Sequence, residues 1–264
     1  MTTIAANLQA VRERIARAAE AAGRRAEDIA LLAVSKGVAA ERIAEAHAAG
    51  QNAFGESHAQ EGVEKITKLS RLALNRRVAE ARRENDRERS DAIIAFAGVA
   101  SPEGPLLLPL EWHFIGPIQS NKTRAIAAHF AWVHSVEREK FAVRLNEARA
   151  GQPPLDVCIQ VNVSGEASKS GVAPGGEVAL AEAIARLPRL RLRGLMAIPE
   201  PTPDVQLQRR RFALLRGLKE QLAARGYALD TLSMGMSADF EAAIAEGATI
   251  VRIGTAIFGQ RQEN

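Results

Sequence analysis

The run Ile29-Ala30-Leu31-Leu32-Ala33-Val34-Ser35-Lys36 decides how this chain folds, because similar short apolar runs recur after it. It contains no glycine or proline and is followed directly by Gly37, which is typical of a buried strand that ends in a loop. Lys36 is therefore predicted at the exit of a strand, where partial desolvation disfavours the ammonium form of its side chain and lowers its pKa. A neutral amine at this position can form a Schiff base with a carbonyl compound. The alternative is an ordinary solvated lysine.

Working outward from this run, strands and helices alternate along the whole chain. Strand-like runs occur at about 29–35, 52–55, 112–116, 131–135, 155–163, 190–198, 230–235 and 249–253. Helical patterns lie between nearly all of them, at 39–49, 57–80, 120–129, 137–150, 176–187, 204–225 and 238–246. An amphipathic helix precedes the series, since Leu8, Val11 and Ile15 recur at helical spacing before Gly23.

Eight strands that alternate with seven helices predict a parallel sheet. Their number fits a closed (β/α)8 TIM barrel, a fold of about 250 residues. An open doubly wound sheet is the alternative, and the lack of a G-x-G-x-x-G turn after the first strand disfavours it. The sequence therefore predicts an α/β TIM barrel with an N-terminal helix.

The spacing of the elements predicts one domain over residues 1–264. The chain stops soon after the eighth strand, so we expect no C-terminal β-domain. Stretch 67–110 departs from the even spacing, because a charged helical part leads into a segment with Gly and Pro at 98–109. We predict an elongated, solvated excursion after the second strand, with a partner-binding role as the alternative.

Composition narrows the class of protein. Hydrophobic residues make up 47% and charged residues 25%, as in soluble globular proteins. The net charge is only +4 and no stretch interleaves basic with aromatic residues, so we expect no nucleic-acid partner. Neither a membrane span nor a signal peptide is visible, so we expect no membrane partner either. The single cysteine, Cys158, lies in an apolar run and fits a reducing compartment, which predicts a cytoplasmic protein.

Two segments near the end of the sequence suit a bound anion. Met236 and Ser237 follow the seventh predicted strand, and Gly254 and Thr255 follow the eighth, where barrels of this kind often bind phosphate. Glycine allows close backbone approach, and the hydroxyl groups donate hydrogen bonds. Helix capping alone is the alternative for Ser237. Since closure places strand one beside strand eight, an amine on Lys36 would lie next to a phosphate cradle, and this combination indicates pyridoxal 5′-phosphate (PLP).

Other residues are candidates at the same rim. Arg252 lies two residues before Gly254 and needs an anion or an acceptor; facing a pyridine nitrogen, it would keep that nitrogen unprotonated. A structural ion pair is the alternative. Glu56 and Ser57 end the second strand, and one of them is expected to face the mouth. His113 is a further candidate, or a core histidine with satisfied hydrogen bonds. The histidines show no metal-ligand spacing, so we expect no metal site.

Together these stretches resemble a known family, the PLP homeostasis proteins, which share the barrel of alanine racemase and belong to the fold-type III PLP proteins. The matching segments cover nearly the whole chain outside 67–110. They are Leu32–Lys36, Phe54–Glu56, Glu111–Pro117 with Gln119–Lys122, Trp132–Val136, Gln160–Val163 with Ser168–Gly171, Arg193–Pro199, Leu232–Ser237 and Val251–Gly259.

The resemblance implies that Lys36 carries PLP as a Schiff base and that Arg252 faces the pyridine nitrogen. It implies phosphate ligands at Ser237, Gly254 and Thr255, with Met236 and Ser57 nearby. It further implies a carrier that binds, buffers and delivers PLP in vitamin B6 homeostasis, without evident catalytic turnover. PLP-dependent apo-enzymes are the expected acceptors, and a monomer or weak dimer is the expected state. Relatives commonly have Asn at the position of Ser57.

Two other functions remain as alternatives. A PLP-dependent amino-acid racemase on the same barrel needs a second proton-transfer group opposite the lysine, which in alanine racemases is a tyrosine from an added β-domain. The one tyrosine here, Tyr227, precedes the seventh strand and belongs to the opposite rim. A Schiff-base aldolase that acts without a cofactor is the third hypothesis, and it predicts a colourless protein.

Overall fold

A computed structural model describes residues 3–83, 110–166 and 169–260 of the chain, without the side chains of 73–83. Eight parallel strands form a closed barrel in sequence order. The strands are β1 (Ala30–Val34), β2 (Ala53–Glu56), β3 (Glu111–Phe114), β4 (Trp132–Val136), β5 (Leu155–Gln160), β6 (Leu190–Met196), β7 (Thr231–Ser233) and β8 (Ile250–Ile253). The predicted TIM barrel is confirmed.

Helices cover the outside of the barrel. They are α1 (Ile4–Ala21), α2 (Ala40–Ala48), α3 (Ala59–Arg83), α4 (Thr123–His129), α5 (Glu139–Ala148), α6 (Gly176–Ala185), α7 (Val205–Ala224), α8 (Phe240–Ala245) and α9 (Thr255–Phe258). The excursion predicted at 67–110 begins inside α3; residues 84–109 lie outside the described residues, as does Ser168. Within the described part of the chain, no helix is long and apolar enough to cross a membrane.

The barrel closes between its first and last strands. Strand β1 pairs with β8 in parallel register, from Ala30 opposite Ile250 to Ala33 opposite Ile253. Gly254, the next residue, packs directly on β1, because a Cβ atom placed on it would lie 3.1 Å from the Val34 carbonyl oxygen. The two ends of the sequence therefore meet at the carboxyl-terminal rim, as predicted.

Apolar side chains form an outer and an inner layer. The large cluster joins strand residues such as Ala33 and Phe54 to helix residues such as Ile43, so it fills the space between sheet and helices. A smaller cluster, built around Leu32 and Val34, contains strand and strand-end residues alone and lies inside the barrel. Its members are Leu32, Val34, Ile115 and Ile250. Directly after β1, Ser35 faces outward, since its hydroxyl binds Glu56, which also binds Lys65 of α3, and Lys36 follows in the turn.

The N-terminal helix is confirmed and is part of the barrel wall. Leu8, Val11 and Ile15 are buried on one face of α1. The Asn7 side-chain amide donates to the carbonyl of Ile257, 2.9 Å away. Helix α1 thus fixes α9, the helix that begins directly after Gly254.

Candidate functional site

The peptide groups on both sides of Lys36 are held by helix α3. The carbonyl oxygen of Ser35 accepts a hydrogen bond from Lys65 Nζ at 2.6 Å, and the amide of Gly37 donates to Glu61 Oε1 at 2.5 Å. Glu61 and Lys65 are one helical turn apart and bind each other at 2.5 Å. Gly37 has a φ of 69°, which permits the tight turn after Lys36. The backbone that carries the lysine is therefore fixed before and after it.

Glu56 supports this arrangement from β2. Its Oε1 atom accepts from the Ser35 hydroxyl at 2.6 Å and from Lys65 Nζ at 2.9 Å. The residue is fully buried, and burial raises the pKa of its carboxyl group. Oε2 has no hydrogen-bond partner among the described residues. Glu56 thus lies between β2 and α3, away from the mouth, and of the two candidates at the end of β2 only Ser57 remains for the rim.

Ser57 is half-buried, and its backbone packs tightly against the loop after β3. A Cβ atom on Gly116 would lie 1.9 Å from the Ser57 carbonyl oxygen, so only glycine fits there. The close approach draws the exits of β2 and β3 together. It places Ser57 at the same rim as Lys36, as the sequence predicted.

The loop after β7 folds back onto α8. Gly235 has a φ of 94°, and a Cβ atom on it would lie 2.7 Å from Ala243 Cβ. The amide of Met236 donates to Asp239 Oδ1 at 2.6 Å, so this amide has a partner within the loop. Asp239 is the N-cap residue of α8, which makes the capping alternative for Ser237 wrong. Ser237 is half-buried beside the loop and does not cap the helix.

The segment after β8 begins with Gly254 and turns at once into α9. The Gly254 carbonyl accepts from the amides of Ile257 and Phe258, both at 2.9 Å. The first amides of a helix have no acceptor within the helix, and in α9 these belong to Thr255 and Ala256. The backbone amide of Arg252 donates to the Gly235 carbonyl at 2.9 Å, which brings the two predicted phosphate loops side by side.

Arg252 points into the barrel and is only 3% exposed. Its guanidinium donates to the Ser233 hydroxyl at 2.8 Å and to the Ala197 carbonyl at 2.8 Å. Burial lowers the pKa of Arg252 to about 10. Both acceptors are neutral, so Arg252 forms no ion pair with a carboxylate of the described residues. A guanidinium held in this way has further N–H groups to offer a ligand in the mouth.

Two features of the site escaped the sequence reasoning. One is the pair Glu61 and Lys65, for which the E-x-x-x-K spacing on a helix after β2 was the available signal. The other is a set of buried polar side chains inside the barrel, in which His134 Nδ1 lies 2.7 Å from Ser233 Oγ. His113, predicted as either a site residue or a satisfied core histidine, is buried and hydrogen-bonded on both ring nitrogens.

The donor groups do not resemble a metal centre. Across residues 3–83, 110–166 and 169–260, no group of three His, Cys, Asp or Glu residues could hold a metal ion. Cys158 is fully buried in β5, and burial raises the pKa of its thiol. The rim thus offers an amine, hydroxyls, amides and a guanidinium, a set suited to an anionic carbonyl compound.

Similarity to known proteins agrees with this chemistry. The family profile described as alanine racemase, N-terminal domain, matches residues 6–262. A protein of Pseudomonas aeruginosa named pyridoxal phosphate homeostasis protein is 54% identical over 99% of this chain and 97% of its own length. A protein of the same name from Escherichia coli is 47% identical over 99% of this chain and 98% of its own length.

Solved structures extend the comparison. PipY of Synechococcus elongatus, solved with PLP bound, is 30% identical with a TM-score of 0.73, covering 97% of this chain and 100% of PipY. An alanine racemase of Corynebacterium glutamicum shares the fold, with 15% identity and a TM-score of 0.59, covering 97% of this chain and 58% of the racemase. The chain therefore belongs to the family of pyridoxal phosphate homeostasis proteins, built on the barrel of the alanine racemase N-terminal domain.

Proposed function

We propose that this protein holds PLP as a Schiff base on Lys36 and takes part in intracellular PLP homeostasis without catalytic turnover. The observation that carries the proposal is the pairing of β1 with β8, which brings the end of β1, directly before Lys36, beside Gly254. Family membership and the PLP-bound structure of PipY support it.

The residues at the rim fit the chemical groups of PLP. PLP supplies an aldehyde that condenses with a primary amine, together with a phosphate and a pyridine ring. Gly254 lies so close to Val34 that a side chain on it would crowd β1, and the first amides of α9 have no acceptor within the helix. Ser237, Gly254 and Thr255 are therefore the proposed phosphate ligands.

The remaining residues orient the ring. Arg252 faces the pyridine nitrogen in this proposal, and as a donor-only group it keeps that nitrogen unprotonated. Ser57 lies beside the ring. Met236 shapes the loop after β7 and does not donate a backbone hydrogen bond to the phosphate, because its amide already binds Asp239.

A carrier is favoured over a racemase by the position of the one tyrosine. Tyr227 precedes β7 (Thr231–Ser233), so it belongs to the amino-terminal rim, opposite the proposed site. With its one tyrosine at the opposite rim, the chain offers Lys36 no tyrosine as the second proton-transfer group that alanine racemases use. PLP-dependent apo-enzymes are the proposed acceptors and the cytoplasm the proposed compartment.

Covalent labelling tests the proposal. The purified protein is incubated with PLP, reduced with borohydride and digested, and mass spectrometry locates the phosphopyridoxyl group. We expect the label on the peptide that contains Lys36 and a yellow protein before reduction. The Lys36→Ala variant should be colourless and unlabelled there, whereas Lys169→Ala, which removes another lysine near the mouth, should behave like the native protein.

Three results would contradict the proposal. A yellow Lys36→Ala protein whose label lies on another lysine would refute the Schiff-base assignment. Conversion of L-alanine into D-alanine by the loaded protein, abolished in Lys36→Ala, would favour the racemase. A native protein that stays colourless yet cleaves a phosphorylated sugar would favour the aldolase.

A further inference from the structure

A row of five hydrogen-bonded side chains crosses the inside of the barrel from rim to rim. Arg252 Nη1 lies 2.8 Å from Ser233 Oγ, which lies 2.7 Å from His134 Nδ1. His134 Nε2 lies 2.8 Å from His113 Nδ1. His113 Nε2 in turn lies 2.7 Å from Glu111 Oε1. No residue of this row other than Arg252 has a place in the proposed cofactor site.

The row joins the two ends of the barrel. Arg252 and Ser233 lie near the carboxyl-terminal ends of their strands, whereas Glu111 is the first residue of β3 (Glu111–Phe114). Arg252, Ser233 and both histidines are buried, and the side chain of Glu111 is 52% exposed. The Trp132 ring stacks on His113 with a centroid separation of 5.3 Å and an interplanar angle of 9°, which covers one face of that imidazole.

The chemistry of the Glu111 carboxylate determines the direction of every hydrogen bond in the row. A guanidinium only donates and an ionised carboxylate only accepts. The hydrogen bond from His113 lowers the pKa of Glu111, and burial lowers the pKa of both histidines, so the carboxylate is charged and the rings are neutral. A neutral imidazole carries one N–H group. His113 therefore donates from Nε2 and accepts at Nδ1.

The same direction continues to the mouth. His134 must donate from Nε2 to His113, so its Nδ1 accepts the hydrogen bond of the Ser233 hydroxyl. The Ser233 hydrogen is thus directed away from Arg252, and the oxygen lone pairs are directed toward the guanidinium. Every hydrogen bond of the row has one donor and one acceptor in this arrangement and in no reversed one.

Glu111, rather than Arg252, decides between the two directions. A hydroxyl oxygen accepts two hydrogen bonds, so Ser233 could accept from Arg252 and from a reversed His134 at once. Such a reversal would leave the Ser233 hydrogen without this acceptor. The Glu111 carboxylate excludes the reversal, because it only accepts and therefore requires the N–H group of His113 at Nε2.

We infer that Glu111 is a positioning residue for Arg252, acting across the barrel through His113, His134 and Ser233. Its effect on the bound cofactor rests on the proposed function, in which Arg252 contacts PLP. The direction of the hydrogen bonds does not depend on the proposed function, because it is a property of the protein without ligand.

Nuclear magnetic resonance of the imidazole nitrogens tests the direction in the full chain without PLP. We expect the Nε2–H tautomer for both His113 and His134. Glu111→Gln should keep it, because an amide oxygen still accepts. Glu111→Ala should admit the Nδ1–H tautomer of His113, and Glu111→Lys should impose it, since an ammonium only donates. Glu27→Ala, which removes an exposed carboxylate just before β1, should leave both rings unchanged.

A second measurement follows the effect to the mouth. In the PLP-loaded protein, Glu111→Ala should shift the visible absorbance and release PLP about fivefold faster, the effect of one neutral hydrogen bond. Glu27→Ala should do neither. Native tautomers in both Glu111→Ala and Glu111→Lys, or altered tautomers with unchanged absorbance and release, would overturn the inference. A native protein that binds no PLP would refute the proposed function, while the tautomers would still decide whether Glu111 directs the row.

Discussion

Arg252 shows how one buried side chain is fixed by its neighbours. Its guanidinium spans the Ser233 hydroxyl and the Ala197 carbonyl, each at 2.8 Å. A guanidinium offers several donors in one rigid plane, whereas a lysine ammonium is a compact group on a flexible chain. The position therefore needs arginine for its geometry and not only for its positive charge.

We expect Arg252→Lys to lower the free energy of unfolding of the ligand-free protein by about 1–2 kcal/mol, because one buried neutral acceptor loses its donor. Urea denaturation measures this loss. Arg186→Lys, at an exposed position, should stay within about 0.5 kcal/mol of the native protein. An Arg252→Lys protein as stable as the Arg186→Lys control would show that the two hydrogen bonds contribute nothing to the fold.

At the scale of the element, α3 does more than cover the barrel. Through Lys65 and Glu61 it holds the peptide groups on either side of Lys36. The Lys65 side chain is only 10% exposed and is the sole cation in contact with Glu56 among the described residues. One face of α3 therefore supports the loop that carries Lys36.

We expect Lys65→Met to lower the free energy of unfolding by about 3 kcal/mol, because it leaves the buried carboxylate of Glu56 without a cation. Lys68→Met is the matched control on the same helix, since Lys68 and its partner Glu41 are both more than half exposed. That change should cost less than about 1 kcal/mol. Equal losses in the two variants, measured by urea denaturation, would show that the contacts of Lys65 do not support the lysine loop.

At the scale of the whole molecule, the buried histidines make stability depend on pH. Burial lowers the pKa of His113 and His134, so the folded protein binds fewer protons than the unfolded chain. The stability that the two neutral rings contribute is fully present above the unfolded-state pKa of about 6.5 and is lost as pH falls below that value. The raised pKa of Glu56 acts in the opposite direction, so the informative quantity is the difference between variants.

Between pH 6.5 and 5, we expect each buried histidine to contribute up to about 1.4 kcal/mol of lost stability per pH unit. His134→Asn removes one titrating ring and keeps an acceptor near Ser233, so its stability should depend on pH less steeply. His129→Asn, at an exposed position, should keep the native slope. Urea denaturation across this pH range measures how steeply the free energy of unfolding depends on pH. Identical slopes for all three proteins would contradict a contribution of His134 to that dependence.

The strand order could be read from sequence because each apolar run is long enough to define a strand. Element ends were less accurate: the run predicted as 230–235 contains only three strand residues, Thr231–Ser233, because Gly235 turns the chain away. Helix α8 starts at Phe240 rather than at 238, since Asp239 is its N-cap. The apolar pattern of a sequence indicates which residues are buried, whereas backbone hydrogen bonding determines where a strand or helix begins and ends.

The rim residues were predictable for a related reason. In a parallel barrel, strand order alone brings Lys36, Ser237, Gly254 and Thr255 to one end. Contacts across the interior were not predictable, because His134 and Ser233 are 99 residues apart and meet only through side-chain direction and register. The choice between Glu56 and Ser57 for the mouth stayed open for a similar reason: which of two adjacent residues faces inward depends on where the strand begins.

The seam between Ala30 and Ile250 has a consequence for how the protein is made. On the ribosome, Lys36 emerges long before the strand that completes its surroundings, and a nascent chain presents it as one more solvated amine. In the proposed function, capture of PLP by Lys36 therefore awaits the end of translation, and we expect a prematurely terminated product without β8 to retain no cofactor.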